Sequence, residues 1–175
     1  MAARHVNASV QLFMENGVQI LDLMLSGVLP RFPDAKFVSV ESGIGFIPFI
    51  LEALDYAFDY SKVYRSKPEF TMKPSEYFAR NVSLGASCMP RREVELRHAI
   101  GIDNIMWGTD YPHPEGSWPV TREQQLDAFH GVPDAELAAM LGGNAARVYG
   151  FDVEKLAPLV AHIGPEKSAF RARGA

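Results

Sequence analysis

The chain has 175 residues, enough for one domain with a real core, and its 47% apolar and 22% charged residues exclude both disorder and a fibrous architecture. A formal net charge of −4, with no cluster of Lys and Arg, excludes the electrostatic footprint of a nucleic-acid or anionic-membrane binder and favours small-molecule chemistry. The single cysteine, Cys88, rules out an internal disulfide, and no stretch has signal-peptide order or bilayer-spanning length, so a cytoplasmic protein is expected.

From Val10 to Leu29, Phe13, Ile20, Leu21, Met24, Leu25 and Val28 recur at a spacing that predicts a helix, stopped by Pro30 and Pro33. Lys36 to Glu41 reads as a strand, with Phe37, Val38 and Val40 as its apolar members. Gly43 and Gly45 then turn the chain into a helix over Phe46 to Asp59, whose apolar face carries Phe46, Ile50, Leu54 and Phe58.

Tyr60 to Pro74 has no clear period and reads as a long connection, followed by a short helical turn at Ser75 to Ala79. A second strand is predicted over Asn81 to Ala86, and Pro90 suits the first turn of a helix running to Ile100. The third strand, Ile105 to Asp110, ends on a carboxylate, and the prolines of Tyr111 to Pro119 make the next segment a loop. Thr121 with Gln124 has the spacing of a capping box for a helix to Phe129. Asp134 to Leu141 and Asn144 to Tyr149 read as two helices separated by Gly142 and Gly143, with a frayed tail beyond Pro165. Alternating helices and strands are the order of a parallel α/β architecture.

Asp110 is the sharpest chemical feature, since ligands and catalytic groups project from the C-terminal ends of the strands in α/β barrels. A carboxylate there suits a divalent cation or a proton, and an Asx-turn into Tyr111-Pro112 is the structural alternative. Glu41 ends the first strand in the same way, as ligand, base or substrate contact, or simply as a charge near the next helix N-terminus. His113 follows Asp110 by three residues and can face the same rim, or be a solvated loop histidine.

Gly43 and Gly45 lack the third glycine of a dinucleotide fingerprint and the lysine of a P-loop, so backbone turning accounts for them better than phosphate does, and a nucleotide-binding domain is disfavoured. Cys88, near the end of the second strand, reads as a small packed residue rather than a nucleophile, because no histidine base is near in sequence. Trp107 reads as core, and Trp118 as a pocket wall or as packing over the rim. No histidines stand at a ligand-pair spacing, so the chain has no self-sufficient histidine metal site.

The run Met106 to Gly116, together with Gly27 to Val38 and Gly143 to Phe151, resembles the amidohydrolase-related family 2 enzymes, which include aminocarboxymuconate semialdehyde decarboxylase. The resemblance covers residues 10 to 155, with 156 to 175 as a tail, and implies strands six to eight of a (β/α)8 barrel: a single C-terminal fragment, short of the roughly 250 residues of a whole barrel. It implies that Asp110 matches a metal-binding aspartate, usually on zinc, that also accepts a proton from a water on that metal. Glu41 stands where many members have histidine, and the family's His-x-His pair and strand-five histidine have no counterpart here.

The resemblance therefore implies metal-assisted hydrolysis of a small carboxylated or cyclic substrate, or non-oxidative decarboxylation. Asp110, Glu41 and His113 would be the catalytic groups, and Tyr111 and Trp118 the substrate contacts. It also implies an incomplete divalent-metal site and little turnover by this chain alone. A non-catalytic remnant acting as an assembly module is the reading from another class. Three parallel strands leave open edges and an uncovered inner face, so self-association or an N-terminal complementing half is expected.

Overall fold

The computed structural model describes residues 2–87 and 89–171, with the side chains of residues 2–6 excluded; Cys88 and the side chain of His5 lie outside the described set. The elements run α1 (Ala2–Leu25), α2 (Val28–Arg31), β1 (Phe37–Ser42), α3 (Ile47–Ser61), α4 (Val63–Ser66), α5 (Pro74–Asn81) and β2 (Val82–Ser87). They continue with α6 (Arg91–Glu95), α7 (Arg97–Ile100), a 3-10 turn (Ile102–Asn104), β3 (Ile105–Gly108) and α8 (Thr121–Phe129). The last elements are α9 (Asp134–Ala138), a π turn (Ala139–Gly143), α10 (Asn144–Tyr149), α11 (Val153–Ile163) and a 3-10 turn (Lys167–Phe170).

The strands form one parallel sheet in the order β1-β2-β3, so the alternating elements build a segment of a (β/α)8 barrel. One sheet face supplies Leu84, Ala86 and Ile105 to a core shared with Ile47, Ile50, Leu54 and Phe58 of α3 and Tyr77 and Phe78 of α5. These helices form because their apolar residues recur about every 3.6 positions, and burying that stripe supplies most of their stability. On the opposite face Val40 is half exposed, and its side chain leans over Gly85, where an added Cβ would stand 2.9 Å from Val40 Cγ1.

Three buried asparagines brace the strand bases in series. Asn81 Nδ2 donates to the carbonyls of Pro33 (2.9 Å) and Ala35 (2.7 Å), just ahead of β1. Asn104 Nδ2 donates to Ala79 (3.0 Å) and Val82 (2.7 Å) at the base of β2, and Asn144 Nδ2 to Ile102 (2.8 Å) and Ile105 (2.7 Å) at the base of β3. Each amide thus ties one strand's start to a later stretch of the chain, which for Asn81 and Asn104 lies just ahead of the next strand, at the barrel end that carries stability rather than chemistry.

Several expectations are corrected. The first helix breaks at Ser26-Gly27, where Gly27 takes φ 77°, and Pro30 sits inside the short α2 rather than ending α1. The long connection contains α4, the turn at Ser75 is the eight-residue α5, and the helix after Pro90 is split at Leu96 into α6 and α7. Thr121 makes no cap, since Val120 is the N-cap and Thr121 Oγ1 instead pairs with Ser117 Oγ at 2.9 Å.

Gly142 and Gly143 do not separate a pair of helices; they lie in a π turn that carries the chain without a break from α9 to α10. The tail also holds structure: α11 is capped by Asp152, whose side chain accepts from Lys155 N–H, and Phe170 is buried, with its carbonyl accepting from Gly131 N–H. Two apolar surfaces lack a partner among the described residues. One is the α1 stripe of Val10, Met14, Val18 and Leu25, and the other is the apolar side of α11.

Candidate functional site

Glu41 owes its position to a bulge. Val40 pairs with Gly85 but Ser42 with Ala86, so Glu41 is an extra residue in β1 and takes a left-handed φ of 55°. In regular alternation Glu41 would follow Ser39 onto the helix-covered face. The bulge instead gives that place to Ser42, which is buried opposite Ala86, and turns the carboxylate to the rim. Asp110, two residues past β3, has the same unusual backbone, φ 56°. A left-handed non-glycine residue costs about 1–2 kcal/mol, and both rim carboxylates bear it.

The two carboxyl groups meet. The pKa of Glu41 is raised above the ordinary carboxylate value, first by a hydrogen bond to Asp110, then by the charge of Asp110 and by a small loss of solvation, while His113 pulls it down. Two carboxylates in such contact cannot both ionise freely, so the pair favours holding a proton. On its other side, Asp110 Oδ2 lies 3.1 Å from His113 Nδ1. The loop beyond is closed by His113 N–H to Asp110 O (2.8 Å), Gly116 N–H to His113 O (2.9 Å) and Ser117 N–H to Thr109 O (2.9 Å). Gly116 is required there, because a Cβ would stand 2.7 Å from Thr109 O and 2.9 Å from Asp110 O, both fixed backbone atoms.

Glu41, Asp110 and His113 line a cleft of about 350 Å³, with Ser87 from the end of β2 and with Leu12 and Phe13 of α1 as its apolar wall. All three strand ends thus converge on one space. Ser87 was not singled out from the sequence; being the last residue of β2 is the signal that marks it. Tyr111 and Trp118 pack edge to face, 6.2 Å between ring centres at 70°, both about two-thirds exposed and neither lining this cleft. His98 approaches Glu136, and His130 Nδ1 lies 2.8 Å from Asp127 O, both away from the rim, while His162 is exposed on α11.

The rim loop after β1 is held from a distance. Glu93 Oε1 accepts from both Ile44 N–H and Gly45 N–H, each at 2.9 Å. Neither Gly43 nor Gly45 has a left-handed φ, so backbone turning is not what requires glycine there. A Cβ on Gly43 would stand 2.9 Å from that oxygen, and the glycines make room for it.

The donors suit one side of a divalent-cation site, two carboxylates held together against their repulsion. Among the described residues no group of three or more His, Cys, Asp or Glu gathers to hold a metal, whereas a catalytic zinc takes about three protein ligands. The described residues therefore do not complete such a centre.

A parallel sheet whose C-terminal strand ends carry the polar groups defines the class of fold, part of a (β/α)8 barrel. The amidohydrolase family profile matches residues 3–151, and the chain belongs to that family. Its fold is similar to 5-carboxyvanillate decarboxylase LigW from Sphingomonas paucimobilis, at 31% identity and a TM-score of 0.61 over 75% of this chain and 38% of that one. An amidohydrolase from Mycobacterium avium subsp. paratuberculosis K-10 gives 27% identity and 0.60, over 74% of this chain and 32% of that one.

A dihydroxybenzoic acid decarboxylase from Polaromonas sp. JS666, solved with bound manganese and the inhibitor 2-nitroresorcinol, shares the fold at 22% identity and 0.59, over 81% of this chain and 40% of that one. The chain thus spans well under half the length of these relatives. No curated protein matches the chain. No helix among the described residues is long and apolar enough to cross a membrane.

Proposed function

We propose that this chain supplies one wall of a divalent-metal-dependent decarboxylase site acting on a small carboxylated aromatic substrate. The observation that carries the reading is the contact of Glu41 with Asp110 at the strand ends, two carboxyls that favour sharing one proton. Loss of CO2 from a ring carbon breaks the carbon–carboxylate bond and leaves an electron pair that must take up a proton. Glu41, which lines the cleft and whose pKa is raised, would deliver that proton when protonated. The likeness to a 5-carboxyvanillate decarboxylase at 31% identity supports the substrate class.

Asp110 would be the metal ligand, with manganese or zinc as the ion; the metal, when bound, polarises a substrate oxygen. His113 orients Asp110 through the 3.1 Å contact. Tyr111 and Trp118, paired at the rim, would meet the outer end of a substrate. Hydrolysis is the second reading, favoured by the Asp110–His113 pair, which suits acceptance of a proton from an attacking water.

The remaining donors would come from a segment carrying the other barrel strands. That segment covers the α1 stripe, the half-exposed Val40 and the free edges of β1 and β3. Activity of the chain alone is expected to be near zero. The test is release of CO2 from carboxylated phenols by the chain reconstituted with such a segment. Asp110→Ala and Glu41→Gln should each lower the rate by about a hundredfold or more, and turnover unchanged in both would overturn the proposal.

A further inference from the structure

The bulge at Glu41 sets the site. Two restraints flank it. Ser42 is fixed by its pairing with Ala86 and by its hydroxyl, which donates to Gly43 O at 2.8 Å. Beyond it, Ile44 and Gly45 are fixed by one carboxylate oxygen, Glu93 Oε1, from α6, the helix that follows β2. A carboxylate accepting two backbone N–H groups is a strong, charge-assisted restraint. Glu93 Oε2 is buried and finds no hydrogen-bond partner among the described residues, a cost set against the two bonds that Oε1 makes to the turn. The room for that oxygen is made by Gly43 and Gly45.

We infer that Glu93 is a positioning residue that locks the rim turn and thereby holds Glu41 in its left-handed bulge, facing Asp110. The inference rests on the reading of Glu41 and Asp110 as the working pair, but its geometry is testable without that reading. Helix α3 has no side-chain cap at Phe46, so a competing role for Glu93 is stabilisation of the α3 N-terminus alone. The two roles differ in what happens to Glu41.

The experiment is NMR on the 175-residue chain and its variants. It reads the three-bond amide coupling that reports φ at Glu41, amide exchange at Ile44 and Gly45, and line broadening by added Mn2+ near Asp110. Glu93→Gln keeps an oxygen that accepts the same bonds, and is expected to preserve the left-handed coupling at Glu41. Glu93→Ala is expected to return Glu41 to an extended φ and speed exchange at Ile44 and Gly45 by about tenfold or more. It is also expected to raise the Mn2+ midpoint severalfold, while amides of the core strands keep their protection. Should Glu93→Ala not fold, Glu93→Asp withdraws the oxygen by one methylene and is expected to give the same change at Glu41.

A variant that melts earlier but keeps the φ of Glu41 would overturn the inference in favour of a helix cap. If Mn2+ broadens no signal around Asp110 in the unsubstituted chain, the metal reading fails, and the coupling at Glu41 still decides the role of Glu93.

Discussion

Replacing Asn104 by Ala removes the amide that ties the base of β2 to the turn before β3. The Nδ2 group makes two good bonds, 2.7 Å to Val82 O and 3.0 Å to Ala79 O, with a longer contact of 3.4 Å to Phe78 O. Asn104 is 7% exposed, so water cannot replace the lost donor freely. Two net hydrogen bonds at about 1 kcal/mol each, plus the cost of carbonyls left unpaired, give a loss of about 2–4 kcal/mol. With a urea dependence near 2 kcal/mol per molar for a domain of this size, the unfolding midpoint should fall by about 1–2 M.

Asn104→Asp sharpens the test. It keeps the shape but turns a donor into an acceptor facing carbonyl oxygens, and should cost at least as much as alanine. Urea unfolding followed by circular dichroism measures both. A midpoint shift under about 0.3 M for alanine, or a tolerated aspartate, would refute the claim that these asparagines hold the strand bases.

The rim makes its own predictions. Gly116→Ala places a Cβ under 3 Å from the carbonyls of Thr109 and Asp110, so the loop must open and the Asp110–His113 contact must be lost; chemical shifts of the His113 ring will follow it. Glu41→Gln should stabilise the metal-free chain at neutral pH. The folded pKa of Glu41 lies above its ordinary value of 4.5, so above that raised pKa the ionised side chain is repelled by Asp110 and the native state is penalised. Glutamine removes the repulsion, and the gain should fade as pH falls through the raised pKa and the wild type takes up its proton. Unfolding midpoints at about pH 8 and about pH 4 measure the difference, and an equal gain at both would contradict the sign. Zinc in the purified chain should be far below one equivalent by elemental analysis.

Much of the fold was legible because the apolar periods are clear. Ile50, Leu54 and Phe58 fall on the buried side of α3 as their spacing predicts, and the three strands appear within one or two residues of their expected places. Asp110 was legible for the same reason, as a carboxylate closing a short apolar strand. What was hidden is tertiary. The bulge that redirects Glu41 depends on register with β2, and Glu93 acts on residues almost fifty positions away. The room for its carboxylate, not turn geometry, is what Gly43 and Gly45 provide. The π turn through Gly142 and Gly143 keeps a helix going where glycines predict a stop, because Met140 and Asn144 on either side are buried anchors. Helix α11 was missed because Pro158 interrupts its pattern and none of its residues is buried.

Asp110 is proposed to hold the cation at the strand ends, with Glu41 and His113 beside it. Mn2+ titration of the chain, followed residue by residue through paramagnetic broadening, tests it most directly. Weak but localised broadening at Glu41, Asp110 and His113, abolished by Asp110→Ala, is the expected outcome. Broadening that is spread over surface carboxylates, or that survives Asp110→Ala unchanged, would contradict the account.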